Sequence, residues 1–468
     1  MKARVILVVL VATILSMGTD QLGRIRIRAG VPPAGPPDPH VNCSTSTCYY
    51  IRDGGSASTS GTGACVSTGS GNWNTANACD TFPTTMVRGA YYFVAGGDYG
   101  GRAFSTGTSG SSVITVKKAI GSDHGTDTGW LDIYGSTVAT FTGTIDFTSS
   151  NWVWDGQTGG GPGSWKTGHG FKVTIGVGTN AENLSCSRGV SNITVSHFEA
   201  QGHSNDGTPS GTSNDGFWVG CDSLTVRYAY MHDFGRCVFF SNSGNIGNTI
   251  EFSYFGHFES TAGEHSELAS LHDDANMNPV GDATDWTFRW NFITHSEGTG
   301  GLMYQGSGLK VYGNIFAPRD GNTLGAGAGG NGLIGTWTVN STTGLLVYNN
   351  TFYTCVDRVI GLLDATDNGE FRNNLVMNCD VGNDGANDLN RLTHTHNYYI
   401  SITGGPITEA TQQTGSSSPF VDAANADFRL NSNTTAGTNL GSPYDVDMCG
   451  STRTTWTRGA LEFGSTCH

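Results

Sequence analysis

The residues best suited to chemistry crowd into one short stretch. In GEHSELASLHDDAN, from Gly263 to Asn276, the side chains of His265, Glu267, His272, Asp273 and Asp274 fall within ten residues. Carboxylates are hard oxygen ligands suited to Ca²⁺, and an imidazole can take or give a proton near neutral pH. Alternation along a strand would place Glu267, Ala269 and Leu271 on one side and Leu268, Ser270 and His272 on the other, so Glu267 and His272 need not face the same way.

Further along come Arg289, His295, Glu297, Tyr304 and Lys310, with Trp218 upstream. Arg289 could neutralise an acid group, and Tyr304 could serve as a base beside His272 or His265. His295, Lys310 and Trp218 could hold a substrate. Sugar rings stack on exposed aromatic faces, although aromatic side chains equally fill cores. A glycoside hydrolase would need two or three carboxylates facing one groove. Asp215, Asp233, Glu259, Asp273 and Asp274 are the available acids, and their spacing picks out no set. His394 and His396 alternate, and a lone pair is weak evidence for a metal.

What positions these residues is a repeat. An apolar residue, two variable positions, often Asn, one variable position and another apolar residue recur as Phe288, Asn291, Ile293; Val311, Asn314, Phe316; Val347, Asn350, Phe352; and Phe371, Asn374, Val376. Fainter copies begin at Val195, Val226 and Phe252. The first positions are 31, 26, 36, 23, 36 and 24 residues apart, and the shortest step is about one coil of a β-solenoid. One coil cannot bury its own apolar edge, so stacking must create the core. Asn in register is expected at a bend, bonded to the Asn above and below. Further strands are expected at Ser112 to Lys118, Asn151 to Gly156, Phe217 to Gly220, Val238 to Ser241, Leu268 to Leu271, Leu302 to Tyr304, Leu333 to Thr336 and Ile360 to Leu362. The expected fold is all-β: a right-handed parallel β-helix, a single-stranded β-solenoid with capped, disulfide-stapled ends.

The organisation follows. Residues 1–18 read as a signal peptide, with Lys2 and Arg4 ahead of an apolar run; 19–42, rich in Pro, as a flexible lead-in; 43–400 as the β-helix; and 401–468 as a C-terminal cap. The formal charge is −15, with 39 acidic against 24 basic residues, and removing Lys2 and Arg4 makes it −17. A broad basic surface for nucleic acid is excluded. The apolar run is too short to span a bilayer, and no later segment is long and apolar enough to do so. The 11 Cys of an exported chain should mostly pair, and an odd count leaves at least one thiol unpaired or joined to another chain.

The segment 286–318, LLVYNNTF at 345–352, and the ending SPFVDAANADFRL with RGALEF resemble secreted right-handed β-helix repeat proteins of the pectate-lyase-like group. The stretch 263–276 is similar to a coil of the alginate-lyase and chondroitinase-B-like enzymes. That resemblance implies an acidic Ca²⁺ ligand at Glu267, and Asp273 and Asp274 are the further hard oxygen ligands that the stretch itself offers. His265 stands where the family has its other acid and His272 where it has a catalytic lysine; Tyr304 or Gln305 occupies the region of its arginine.

The implied function is an extracellular, carbohydrate-active protein, a lyase cleaving an acidic polysaccharide by Ca²⁺-assisted β-elimination, in which a cation neutralises the uronate carboxylate and a base removes the C5 proton. The alternatives are a non-catalytic surface rod that binds glycans or self-associates, and a glycoside hydrolase. Whether the chain is an enzyme stays open at the level of sequence.

Overall fold

The computed structural model describes residues 41–467 apart from 62, 64, 66–70, 176–180, 203–213, 242–243, 259–266, 272–282, 296–299, 320–323, 325–331, 337–341, 357, 363–365, 368, 383–388 and 406. The signal-peptide region, most of the lead-in, and His265, His272, Asp273, Asp274 and Glu297 lie outside the described residues.

The chain winds into a right-handed parallel β-helix. Among the described residues, a first face carries twelve parallel strands, from Cys48–Ile51 to Thr393–Thr395. Two further faces begin together in the long strands Gly97–Phe104 and Ala139–Phe147, then separate. The second runs from Phe171–Thr174 through Phe198–Gln201 and Tyr230–His232 to Gln413–Gly415. The third runs from Leu184–Cys186 through Phe217–Val219 to Ile360–Leu362. Within the segments expected to be strands at 112–118 and 151–156, Ile114–Lys118 and Trp152–Asp155 pair with each other on the first face.

Register explains the repeat. Trp154, Val195, Val226, Ile250, Phe288, Val311, Val347 and Phe371 are directly paired along the first face, and all are essentially inaccessible. Ile250, not Phe252, holds the place in this column, which corrects the predicted frame by two residues. Phe252 adopts φ of 50° and turns outward, stacking between Tyr228 and Trp290 at 5.3 and 4.9 Å.

From the coil of Ser191–Ser196 onward, the bends between the first and second faces use a left-handed residue, among them His197, Tyr228, Phe252, Trp290, Asn349, Asn373 and His396. From Phe252 on, the residue that follows the bend builds a buried ladder. The Oδ1 atoms of Asn291, Asn314, Asn350, Asn374 and Asn397 each accept the backbone N–H of the preceding member, starting from Ser253. Glu409 terminates the ladder, its Oε1 accepting the Asn397 N–H at 2.7 Å, and His394 Nδ1 lies 3.0 Å from its Oε2.

The C-terminal segment packs back along that bend and forms a second apolar cluster with it. Phe428 meets Phe292 and Tyr444 meets Tyr312 and Tyr348, while buried Arg458 donates to Asn397 O at 2.7 Å. Disulfides join Cys43–Cys48, Cys65–Cys79, Cys186–Cys221, Cys355–Cys379 and Cys449–Cys467. The eleventh thiol, Cys237, is free of disulfide and buried.

Candidate functional site

Stacking brings together residues that hold the same place in successive coils; residues that follow one another around a single coil are sent to different faces. The described members of the predicted set are therefore dispersed. Arg289 and Lys310 point outward from the first face. Arg289 is bound to Glu251 at 2.7 Å through Nε and to the Tyr312 hydroxyl at 2.9 Å, and lies over Trp290. Lys310 Nζ pairs with Asp285 at 3.0 Å. Trp218 is half-buried on the outer side of the third face, in register with Phe240.

Tyr304 points the other way. It is fully buried, its hydroxyl 2.9 Å from Ala283 O and 2.6 Å from Ser307 O, and its place is in the core instead of in an open groove. Glu267 is likewise inaccessible: its Oε2 accepts from Cys237 Sγ at 3.1 Å, and Asp215, with burial raising its carboxyl to about 7, lies on the same buried corner. A carboxylate turned inward toward a thiol does not fit a solvent-facing Ca²⁺ ligand, and among the described residues no group of three or more His, Cys, Asp or Glu side chains is placed to hold a metal. His295 is buried and stacks in parallel on His257 at 5.4 Å. Burial and the neighbouring His257 push its pKa down to about 4, so it is neutral, and its Nδ1 accepts the Phe258 N–H.

A different constellation stands on the outer side of the second face. Lys172 and Glu199 are direct partners in adjacent coils, with Nζ and Oε1 2.6 Å apart. His232 lies one coil further on, with Nε2 3.3 Å from Glu199 Oε1 and Nδ1 2.7 Å from Asp233 Oδ2. His257 Nδ1 reaches the other oxygen of Asp233 at 3.3 Å. Consecutive strand residues normally point to opposite sides. His232 and Asp233 meet because Asp233 has φ of 62°, which turns its side chain back.

Burial alone would raise the Glu199 carboxyl, but His232 and Lys172 overcome it and bring it to about 2. Burial likewise opposes ionisation of Asp233, and hydrogen bonds from His232 and His257 depress its pKa strongly. For His232, burial opposes the charge, yet its two carboxylate partners raise its pKa above the ordinary value. The side chains of Lys172, Glu199 and His257 retain 28%, 24% and 17% of their accessibility, so the chain of charges reaches solvent. His169, pushed down to about 4 mainly by burial, stacks near Tyr230 as a neutral ring.

The sequence held the signal for this set. Counting from the buried first-face position, Asp233 follows Val226 by seven residues, His257 follows Ile250 by seven, and His295 follows Phe288 by seven. Starting that coil at Phe252 displaced His257 from its column.

Along the same column lies an open pocket of about 300 Å³ walled by Trp165, Lys166, Tyr254, Phe292, Arg319 and Asn425 among others. A second, of about 310 Å³, opens on the first face between Arg227, Glu251, Arg289 and the C-terminal segment at Val446 and Asp447.

No family profile and no curated protein matches this sequence. Among solved structures the chain is similar to the PL6 family polysaccharide lyase Pedsa3628 from Pseudopedobacter saltans, with 12% identity over 76% of this chain and 94% of that one and a TM-score of 0.36. It is also similar to the PL6 family alginate lyase AlyGC, with 12% identity over 81% of this chain and 56% of that one and a TM-score of 0.39. A third likeness is to pectate lyase Pel9A, at 13% identity over 91% and 100% of the two chains, with a TM-score of 0.36. The strand register of the chain itself, from Cys48 to Gly415, makes it a parallel β-helix.

Proposed function

We propose that this chain is an exported lyase that cleaves an acidic polysaccharide by β-elimination on the second face of the solenoid. The observation that carries the reading is the solvent-reaching chain Lys172, Glu199, His232, Asp233, His257, in which one carboxylate orients two imidazoles. Five disulfides suit an oxidising compartment outside the cytosol. Among the described residues, no helix is long and apolar enough to cross a membrane.

In this reading His257, bound at Nδ1 by Asp233, is the imidazole that takes the C5 proton of a uronate. Electrons of the C5–H bond form the C4–C5 double bond, the C4–O4 bond breaks, and O4 leaves as the new end of the shortened chain after gaining a proton. Lys172 and protonated His232 stabilise the negative charge that builds on the uronate carboxylate as the proton departs. No step is assigned to Ca²⁺. Glu267 faces the interior, so any requirement for the ion would be met elsewhere.

The test is incubation with alginate, pectate and chondroitin, with calcium and with chelator, while following ultraviolet absorbance of the unsaturated uronate. Growth of that absorbance supports the lyase. Glycan binding without it favours the non-catalytic rod, and new reducing ends without it favour a hydrolase.

A further inference from the structure

The outward column of the second face changes character along the stack. Lys172 and Glu199 are followed in register by Tyr230, Tyr254 and Phe292. Trp165 stands against the aromatic end, its ring 6.5 Å from Tyr254 and 6.0 Å from Phe292. Its indole Nε1 is buried and has no hydrogen-bond acceptor among the described residues. Lys166 Nζ lies 5.5 Å over the Tyr254 ring. Arg319 NH1 donates to Ala424 O at 3.1 Å, its one hydrogen bond among the described residues, and a guanidinium carries five donors in all. No carboxylate is among the described residues that line this pocket, although acids outnumber bases 39 to 24 in the chain.

We infer that this pocket is a subsite for one acidic sugar unit, its ring packed on half-buried Trp165, which is backed by the buried rings of Tyr254 and Phe292, and its carboxylate or sulfate held by Arg319. Aromatic faces suit the apolar side of a sugar ring, and a guanidinium fork suits a planar or tetrahedral oxyanion. Tyr254 is three coils from Lys172 in register, or about 14 Å at the usual strand spacing. A polymer lying along the solenoid axis would occupy this pocket and the Lys172 to His257 network together. That direction rests on the proposed lyase reading; binding in the pocket does not.

The test is equilibrium binding by calorimetry in a His257→Ala background, so that cleavage does not consume the probe. The probes are short oligosaccharides of alginate, polygalacturonate, chondroitin sulfate and neutral dextran. Acidic probes should bind and dextran should not, and the uronate-only and sulfated arms identify which anion is preferred. Arg319→Ala should weaken binding about tenfold, the effect of one lost charge-assisted hydrogen bond, and Trp165→Ala should weaken it as well.

Equal binding of dextran, no binding of any acidic probe, or unchanged affinity in both variants would overturn the inference. A protein that binds in this way and never forms unsaturated product keeps the subsite and loses the lyase. One that cleaves with undiminished affinity in both variants keeps the lyase and loses the subsite.

Discussion

His232 and Asp233, neighbours in sequence, meet side chain to side chain at 2.7 Å because the left-handed backbone of Asp233 turns its carboxylate onto the outer side of the second face. The same carboxylate lies 3.3 Å from His257 of the next coil. Removing its charge should release both rings. Asp233→Asn is expected to lower the rate of product formation by at least about 100-fold, the scale of a lost general base, with little change in apparent affinity. The check is initial rate against substrate concentration; an unchanged maximal rate would place the chemistry elsewhere.

The network should also give stability a defined pH window. Glu199 falls from 4.5 to about 2 on folding. Its contribution is therefore complete above pH 4.5 and lost as pH falls toward 2. His232 rises from 6.5, so its contribution is complete below pH 6.5 and lost as pH climbs through its raised value. Wild type should exceed Glu199→Gln in stability by about 1 to 3 kcal/mol between those limits, and the gap should narrow on either side. Urea midpoints measured across pH 3 to 9 would show it; a gap independent of pH would contradict the assignment.

The amide ladder makes a purely structural prediction. Asn350 Oδ1 accepts from both the N–H and the Nδ2 of Asn314, while its own Nδ2 donates to Val311 O at 2.8 Å. Asn350→Ala strands a buried N–H and a buried carbonyl together, a cost of about 2 to 4 kcal/mol. Asn350→Asp should be worse, because it buries an ionised carboxylate and sets one of its oxygens against Val311 O and Asn374 Oδ1, which the Asn350 Nδ2 now satisfies. Chemical denaturation of the two variants orders them; an Asp variant as stable as wild type would mean that the ladder contributes little.

Cys237 should be silent to thiol reagents in the folded protein. It is 1% exposed, and burial, then the neighbouring Glu267 and Asp215, raise its pKa well above 9, so thiolate is scarce. A colorimetric thiol assay at pH 8 should find no fast-reacting group in native protein and one in guanidinium. A fast native equivalent would contradict this placement.

The fold was readable because a parallel solenoid writes its core as a column at nearly constant spacing. Val195, Val226, Phe288, Val311, Val347 and Phe371 could be found by counting, and the Asn ladder by its fixed offset. Ile250 escaped because Phe252, two residues later, is a comparably apolar side chain, and a left-handed bend residue cannot be told from a strand residue by hydropathy. That shift concealed the column of Asp233, His257 and His295. The stretch around Glu267 drew attention because its acids and imidazoles are close in sequence, whereas in this fold closeness comes from register between coils. Lys172 and Glu199 are 27 residues apart and touch. Arg289 and Tyr304 are 15 apart, yet one points out of the first face and the other into the core behind the third.

The most direct test sets His257→Ala beside His272→Ala, comparing rates of unsaturated product formation on whichever polyuronate the wild type cleaves. The second-face account predicts loss of at least about 100-fold for His257→Ala, with urea midpoints close to wild type and activity largely retained in His272→Ala. Full activity in His257→Ala together with loss in His272→Ala would contradict it and move the reaction to the segment after Leu271.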